Sequence, residues 1–134
     1  MANQNLGTMP KTPFKKGAIV YSVNSRSDSV YLVHSGSVQL ETKNGMVLGE
    51  LGVGELFGEV GLITSEMRTV TVKAKTDCIL IKISEPVFQE KMKKADPICN
   101  AIIRGLALRI NDANNLAEQY WKELALYKSL EREQ

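Results

Sequence analysis

Between residues 14 and 83 the apolar positions fall into short runs separated by Gly, Asn and Ser, which is the rhythm of a chain folded into short strands. The runs at 19–21, 30–33, 37–42, 46–51, 69–75 and 78–83 are the predicted strands. In Val70-Thr71-Val72-Lys73-Ala74-Lys75 apolar and polar residues alternate strictly, so every second side chain can enter a core while the others meet water. Ile79-Leu80-Ile81-Lys82-Ile83 carries the same signal more weakly. Asn44-Gly45 separates two of the runs and predicts a tight hairpin, since both residues tolerate positive φ. Short strands at this spacing predict a mainly β fold, an antiparallel roll.

After Ile83 the period changes from two to between three and four. Ser84 stands where a helix cap belongs, and a helix over about 85–94 follows. Asp96-Pro97 then supplies a second cap with proline in the first turn. From there Ile103, Leu106, Ile110, Ala113, Ala117, Tyr120, Leu124 and Tyr127 recur in alternating steps of three and four, one apolar seam over roughly three and a half heptads. A helix over about 97–130 would be roughly 50 Å long at 1.5 Å per residue. That exceeds what the roll can cover, and the excess predicts a parallel homodimer joined along this helix. The poor helix formers Asn111-Asp112-Ala113-Asn114-Asn115 interrupt the seam, so the helix either breaks there or gives those amides a task. Residues 1–12 are polar and read as a flexible lead-in; 13–134 read as a single domain.

Composition narrows the chemistry. The chain has 134 residues and a net charge of +2, too weakly basic to bind nucleic acid by bulk electrostatics. No apolar run is long enough to span a bilayer and the N-terminus lacks a signal-like region, so a cytoplasmic protein without membrane attachment is expected. Only one histidine is present, His34, which excludes a multi-histidine metal centre and leaves a Ser-His-acid triad a single anchor. It is expected at a strand end, facing solvent or structural. Cys78 and Cys99 lie apart and read as two buried free thiols. The stretch Gly49-Glu50-Leu51-Gly52-Val53-Gly54 has no Gly-Lys-Ser/Thr after it and is no Walker loop. No enzyme class emerges, and no cofactor is expected.

The most specific segment is Phe57-Gly58-Glu59-Val60-Gly61, followed by Arg68-Thr69 just before a predicted strand. Glycine-exposed amides at a helical turn favour an anion, and Arg68 adds a charge-assisted donor pair for a phosphate. Glu59, ionised near Arg68, would accept hydrogen bonds from a ligand hydroxyl. A site that accepts from a hydroxyl and donates to a phosphate suits a ribose phosphate. The same two side chains could instead neutralise each other in a pocket without ligand.

This segment resembles the phosphate-binding cassette of the cyclic nucleotide-binding domain family, with its Phe-Gly-Glu and its later Arg. Phe14-Lys15-Lys16-Gly17-Ala18-Ile19-Val20-Tyr21 resembles the family's opening strand, and Val30-Tyr31-Leu32-Val33-His34-Ser35-Gly36-Ser37-Val38 its Tyr-Leu-Ile-x-x-Gly-x-Val stretch. The likeness covers about residues 14–120. Met67 stands where many members have Pro, Val70 where Ala is common, and Asn24 where a turn glycine is usual.

The resemblance implies an antiparallel β-roll of the jelly-roll, or double-stranded β-helix, type with a short helix and a long C-terminal helix, binding cAMP or cGMP. Carried over by position, Glu59 would take the ribose 2′-hydroxyl and Arg68 the cyclic phosphate. Phe57, Gly58, Val60 and Gly61 would shape the cassette and offer backbone groups, and Thr69 would lie beside the phosphate and near the base. In the family the long helix covers the base, giving Asn111, Asn114 and Asn115 a role in closing the pocket. The expected function is a cyclic nucleotide sensor whose C-terminal helices relay ligand binding to a downstream protein, without direct DNA contact since no DNA-reading helix follows. The alternatives are a ligand-free interaction module with a vestigial pocket, or a fragment of a larger cyclic nucleotide-regulated protein.

Overall fold

The structure is a computed structural model that describes residues 7–132. In chain order the strands are β1 (Lys11–Phe14), β2 (Ile19–Tyr21), β3 (Ser29–Ser35), β4 (Val38–Glu41), β5 (Val47–Leu51) and β6 (Leu56–Phe57); helix α1 (Glu59–Thr64) follows, then β7 (Thr71–Ala74), β8 (Cys78–Ser84), α2 (Glu85–Lys94) and α3 (Pro97–Arg132). Two four-stranded antiparallel sheets, ordered β1-β8-β3-β6 and β2-β7-β4-β5, form the roll. The alternation seen in the sequence decides its inside: Val70, Val72 and Ala74 are buried while Thr71 and Lys73 are half-buried on the other face. These three join Tyr31, Val33, Val38, Phe57, Cys78 and Leu80 in the core between the sheets.

A second apolar cluster, of Met9, Val30, Leu62, Ile81 and Ile83 with Val87 and Phe88 packed against it, fastens α1 and α2 to the outside of one sheet. Met9 belongs to it, and the Lys82 amide donates to Pro10 O. The expected lead-in is therefore wrong for its last residues: the chain is docked by residue 9, β1 begins at Lys11, and the boundary drawn at residue 13 falls inside a strand. The physical reason is β8, whose outer edge is completed by β1 through pairs such as Lys11 with Ile81. Pro13 is tolerated there because β1 is an edge strand. The first residues of the expected lead-in, 1–6, lie outside the described residues.

The hairpin between β4 and β5 sits at Asn44-Gly45 as predicted, but only Gly45 has positive φ, at +86°. Thr42 closes the turn, its carbonyl accepting from the Gly45 amide and its Oγ1 from the Met46 amide. Asn24 does take the left-handed conformation, at φ +68°. Ser84 holds the cap position of α2, yet its hydroxyl caps nothing; the Glu85 amide donates instead to Asp28 O. The Asp96 carboxylate caps α3 through the Ile98 amide at 2.8 Å.

Helix α3 runs unbroken for 36 residues, so the asparagine cluster does not interrupt it. Arg104, Ala107, Asn111, Asn114 and Glu118, spaced by three and four, form the face turned to α1 and the roll. The Arg104 guanidinium donates to Ile63 O at 3.1 Å, Asn111 Nδ2 to Glu66 Oε2 at 3.0 Å, and Asn44 Nδ2 in the hairpin turn to Glu118 Oε1 at 2.5 Å. Most of the predicted apolar seam is turned from the roll: Leu106, Tyr120, Leu124 and Tyr127 are exposed. Cys78 is buried, but Cys99, in the first turn of α3, is exposed, which corrects the expected pair of buried thiols. It fails to bury because α3 meets the roll through its polar face. His34, near the end of β3, faces solvent as expected.

Candidate functional site

β6 ends at Phe57, a core residue, and the chain must turn at once into α1. Gly58 makes that turn at φ +90°, and a Cβ there would also come within 2.8 Å of Arg68 Nη1 and 3.2 Å of Ser29 O. Gly61 is fixed by crowding of another kind: its Cβ would meet Ser27 Oγ at 2.0 Å and Glu66 O at 2.9 Å. Ser65 ends the helix in the left-handed conformation at φ +59°. The following loop is tied back to β2–β3, the Arg68 amide donating to Ser25 O and the Asn24 amide to Arg68 O.

That tether directs the Arg68 side chain inward. Only 3% exposed, it donates from Nη1 to Gly58 O at 2.8 Å and from Nη2 to Ser29 O at 2.7 Å. Asp28 Oδ1 stands 3.6 Å from Nη2, largely in solvent. The guanidinium lies over the Tyr21 ring, Cζ 4.0 Å from its centroid. Its Nε is buried and has no hydrogen-bond partner, and the same holds for Glu59 Oε2. Burial raises the Glu59 carboxyl above the usual carboxylate range, against the smaller opposing effects of its backbone hydrogen bond and the Arg68 charge.

All eight residues singled out in the sequence, Phe57, Gly58, Glu59, Val60, Gly61, Arg68, Thr69 and Asn114, line one cavity of about 190 Å³. Asn114 comes to it from α3, forty-five positions beyond Thr69, together with Ile110. Tyr21, Leu40, Leu51 and Leu56 complete an apolar wall that sequence reasoning did not mark. Ser29 and Asp28 were missed as well; their bearing on the site comes only from facing Arg68 across the fold, which no local pattern records. For Tyr21 a signal existed, an aromatic residue at the end of a predicted strand otherwise made of small aliphatics.

A second, more polar cavity of about 310 Å³ adjoins the first and shares Arg68, Thr69, Val70 and Asn114 with it. Asn111, Asn115 and Glu118 of α3 line it opposite Asn24, Thr42 and Lys43 of the roll. Asn111, already bonded to Glu66, faces this second space and not the first. The pair of cavities therefore offers an acceptor and a donor in its inner part and amides at its outer part, under a helix.

Comparison with known proteins follows the same lines. The family model described as "Cyclic nucleotide-binding domain" matches residues 11–95. A cyclic nucleotide-gated potassium channel of Mesorhizobium japonicum, mll3241, is 35% identical over 92 residues, 69% of this chain and 25% of the channel. A cGMP-dependent protein kinase of Eimeria tenella is 33% identical over 82 residues, covering 60% of this chain and 8% of the kinase. The chain thus spans a quarter or less of the length of these relatives. Among solved structures, the EAL enzyme Bd1971 in its cGMP-bound form superposes with a TM-score of 0.72 at 26% identity, covering 92% of this chain and 34% of the other. Its cAMP-bound form gives 0.71 at 25%, covering 90% and 33%. With the family profile matched over well more than half its length, on the roll and cassette just described, the chain belongs to the cyclic nucleotide-binding domain family.

Proposed function

We propose that this chain is a sensor module that binds cAMP or cGMP in the cavity between Glu59, Arg68 and α3, and passes the event on through α3. The observation that carries this reading is the pair of orphaned polar atoms in one small cavity, Glu59 Oε2 and Arg68 Nε. A buried unpaired polar group costs about 1–3 kcal/mol, so a protein that retains two of them at one place has a use for them. A mutually neutralising ion pair would leave neither: Arg68 spends its Nη atoms on backbone carbonyls, and among the described residues its one ion-pair contact is Asp28. A cyclic nucleotide supplies both missing partners, its 2′-hydroxyl donating to Glu59 and its phosphate accepting from Arg68. Thr69 and Asn114, common to both cavities, then lie where ribose gives way to base, and Asn111, Asn115 and Glu118 border the space left for the base. The module itself performs no chemistry in this reading.

The relay runs through contacts of the same cassette. Ile63 and Glu66 lie between Glu59 and Arg68, and both hold α3, through Arg104 and Asn111. Ligand that draws the cassette inward changes the seat of α3, provided it binds one arrangement better than the other. The exposed seam of α3 is read as the contact with a second copy. In a parallel pair the heptad frame sets Glu123 of one helix against Lys128 of its partner, an attractive flank to an apolar seam. The downstream protein would read the resulting dimer.

Calorimetric titration of the purified chain with cAMP and cGMP, beside Arg68→Ala, tests the site. Micromolar or tighter binding that the substitution abolishes is the expected result, and the two titrations give the base preference. No binding by the unsubstituted chain would turn the reading into that of an interaction module. Sedimentation of a chain cut before Leu116 tests the pairing: a monomer is expected, and a persisting dimer would move the contact to the roll.

A further inference from the structure

The guanidinium of Arg68 is fixed along its edges by Gly58 O and Ser29 O, and across its face by a ring. Tyr21, at the end of β2, lies under Arg68 with 4.0 Å between Cζ and the ring centroid. The ring is not free to move: Tyr31 and Phe57 stand 6.2 and 6.1 Å from it, and those two stack on each other at 5.4 Å. Tyr31 and Phe57 are themselves core residues of the roll. A chain of three aromatic rings therefore runs from the dry core to the charged group of the cavity. Tyr21 also lines that cavity beside Glu59 and Gly58. Burial pushes the Tyr21 hydroxyl well above its ordinary value, so the ring meets the cation as a neutral phenol, with the negative face of its quadrupole toward the guanidinium.

From this arrangement we infer that Tyr21 is a positioning residue, its ring face holding the Arg68 guanidinium in the one plane that leaves Nε–H directed at a bound anion. The inference rests on the reading of Arg68 as the phosphate partner and adds what orients it. Two hydrogen bonds from Nη1 and Nη2 restrain the guanidinium edge but leave it able to rock about the line joining them. A ring on one face removes that freedom and excludes water that would otherwise pair with Nε–H. Cation–π contacts in desolvated surroundings are worth enough for a loss of roughly tenfold in affinity when the ring is removed. The hydroxyl plays no part in this, so phenylalanine should serve in place of tyrosine.

The test uses the full chain with Tyr21→Phe and Tyr21→Leu. In NMR spectra of ligand-free protein the Arg68 Nε–H proton is expected as a ring-current-shifted, slowly exchanging resonance in the unsubstituted chain and in Tyr21→Phe. It should revert to an ordinary, fast-exchanging signal in Tyr21→Leu. Affinity for cAMP and cGMP should stay within twofold in Tyr21→Phe and fall about tenfold in Tyr21→Leu, with thermal unfolding confirming that each variant is folded. If Tyr21→Phe loses as much affinity as Tyr21→Leu, or if the Nε–H resonance is the same in all three, the inference is overturned. Should the unsubstituted chain bind neither nucleotide, the proposed function falls, while the resonance still decides whether the ring orients Arg68. An unfolded Tyr21→Leu leaves the decision to Tyr21→Phe and to Tyr21→Trp, whose larger ring face should keep the shifted resonance.

Discussion

The roll and α3 treat their apolar residues in opposite ways. In the roll Val30, Val33, Val38, Val72 and Leu80 are essentially fully buried, and most polar residues of the same strands are half-buried or exposed, Ser29 beside Arg68 being the exception. In α3 the order is inverted: Ala107 and Asn111 are turned inward and buried, while Ile98, Ile102, Leu106, Tyr120 and Leu124 are exposed. The roll is thus held by dry packing that it completes on its own. The helix is held by small residues and a few hydrogen bonds, donated by Arg104 and Asn111 and accepted by Glu118. Dry packing is discrete and costly to disturb, whereas a helix seated on single hydrogen bonds of about 1 kcal/mol each can be reseated by a ligand. One region gives the cavity its shape; the other, in the proposed reading, responds to what enters it.

Four experiments test that contrast. The largest effect belongs to the core: Leu80→Ala should destabilise the protein by about 3 kcal/mol in denaturant unfolding, since it empties space at a fully buried position. The same truncation at Leu106 should cost under about 1 kcal/mol in the monomer, because that side chain already meets water. Equal losses at the two positions would erase the distinction between the regions. Next comes Leu124→Lys on the seam, which should weaken self-association at least tenfold in sedimentation and leave the unfolding of the monomer nearly unmoved.

Glu59→Gln gives a smaller effect, visible in its pH dependence. Burial raises the Glu59 carboxyl in the folded chain, so the native state holds a proton that the unfolded state has already released. Ligand-free stability should therefore fall as pH rises from the ordinary carboxyl value through the raised one, and the slope should flatten in Glu59→Gln. On the proposed reading, nucleotide affinity should move the other way, increasing over the same window, because a 2′-hydroxyl would pair with the ionised form. Thermal unfolding and titration across that pH range would check both signs. The smallest change is expected from Asn111→Ala, which removes the bond to Glu66: about 1 kcal/mol or less in stability, but faster amide exchange along the middle of α3. An unchanged exchange pattern there would show that the helix is seated by something other than these polar contacts.

Much of this was legible in the sequence, and for local reasons. Strict alternation in Val70 to Lys75 marks β7, and the caps and periodicity of the last fifty residues mark α2 and α3 to within two positions of their ends. The cassette residues were legible because they are close in sequence: Phe57 to Gly61 span the junction of β6 and α1, and Arg68 follows in the loop after α1. The exceptions depend on distant partners. β1 is polar, contains Pro13, and becomes a strand only because β8 has an edge to complete. Met9 is buried because Leu62 and Ile83 are waiting for it. Tyr21, Ser29 and Asp28 surround Arg68 from thirty-nine or more positions away; Tyr21 stands out as an aromatic at a strand end, but nothing in the neighbourhoods of Ser29 and Asp28 announces their place. Periodicity found the seam of α3 but not which way it faces, since a second copy and the roll are equally apolar partners on a helical wheel.

The length of α3 has a mechanical consequence. From Asn111, where the helix is bonded to the cassette, to its end at Arg132 the span is about 32 Å at 1.5 Å per residue. A tilt of roughly 10° about that bond would sweep the far end through about 5 Å, close to one helical turn. The cassette would need to shift by only a fraction of that distance. If the proposed reading of the site holds, the helix would act as a lever with its fulcrum at the cassette, turning a small displacement there into one several times larger at its far end.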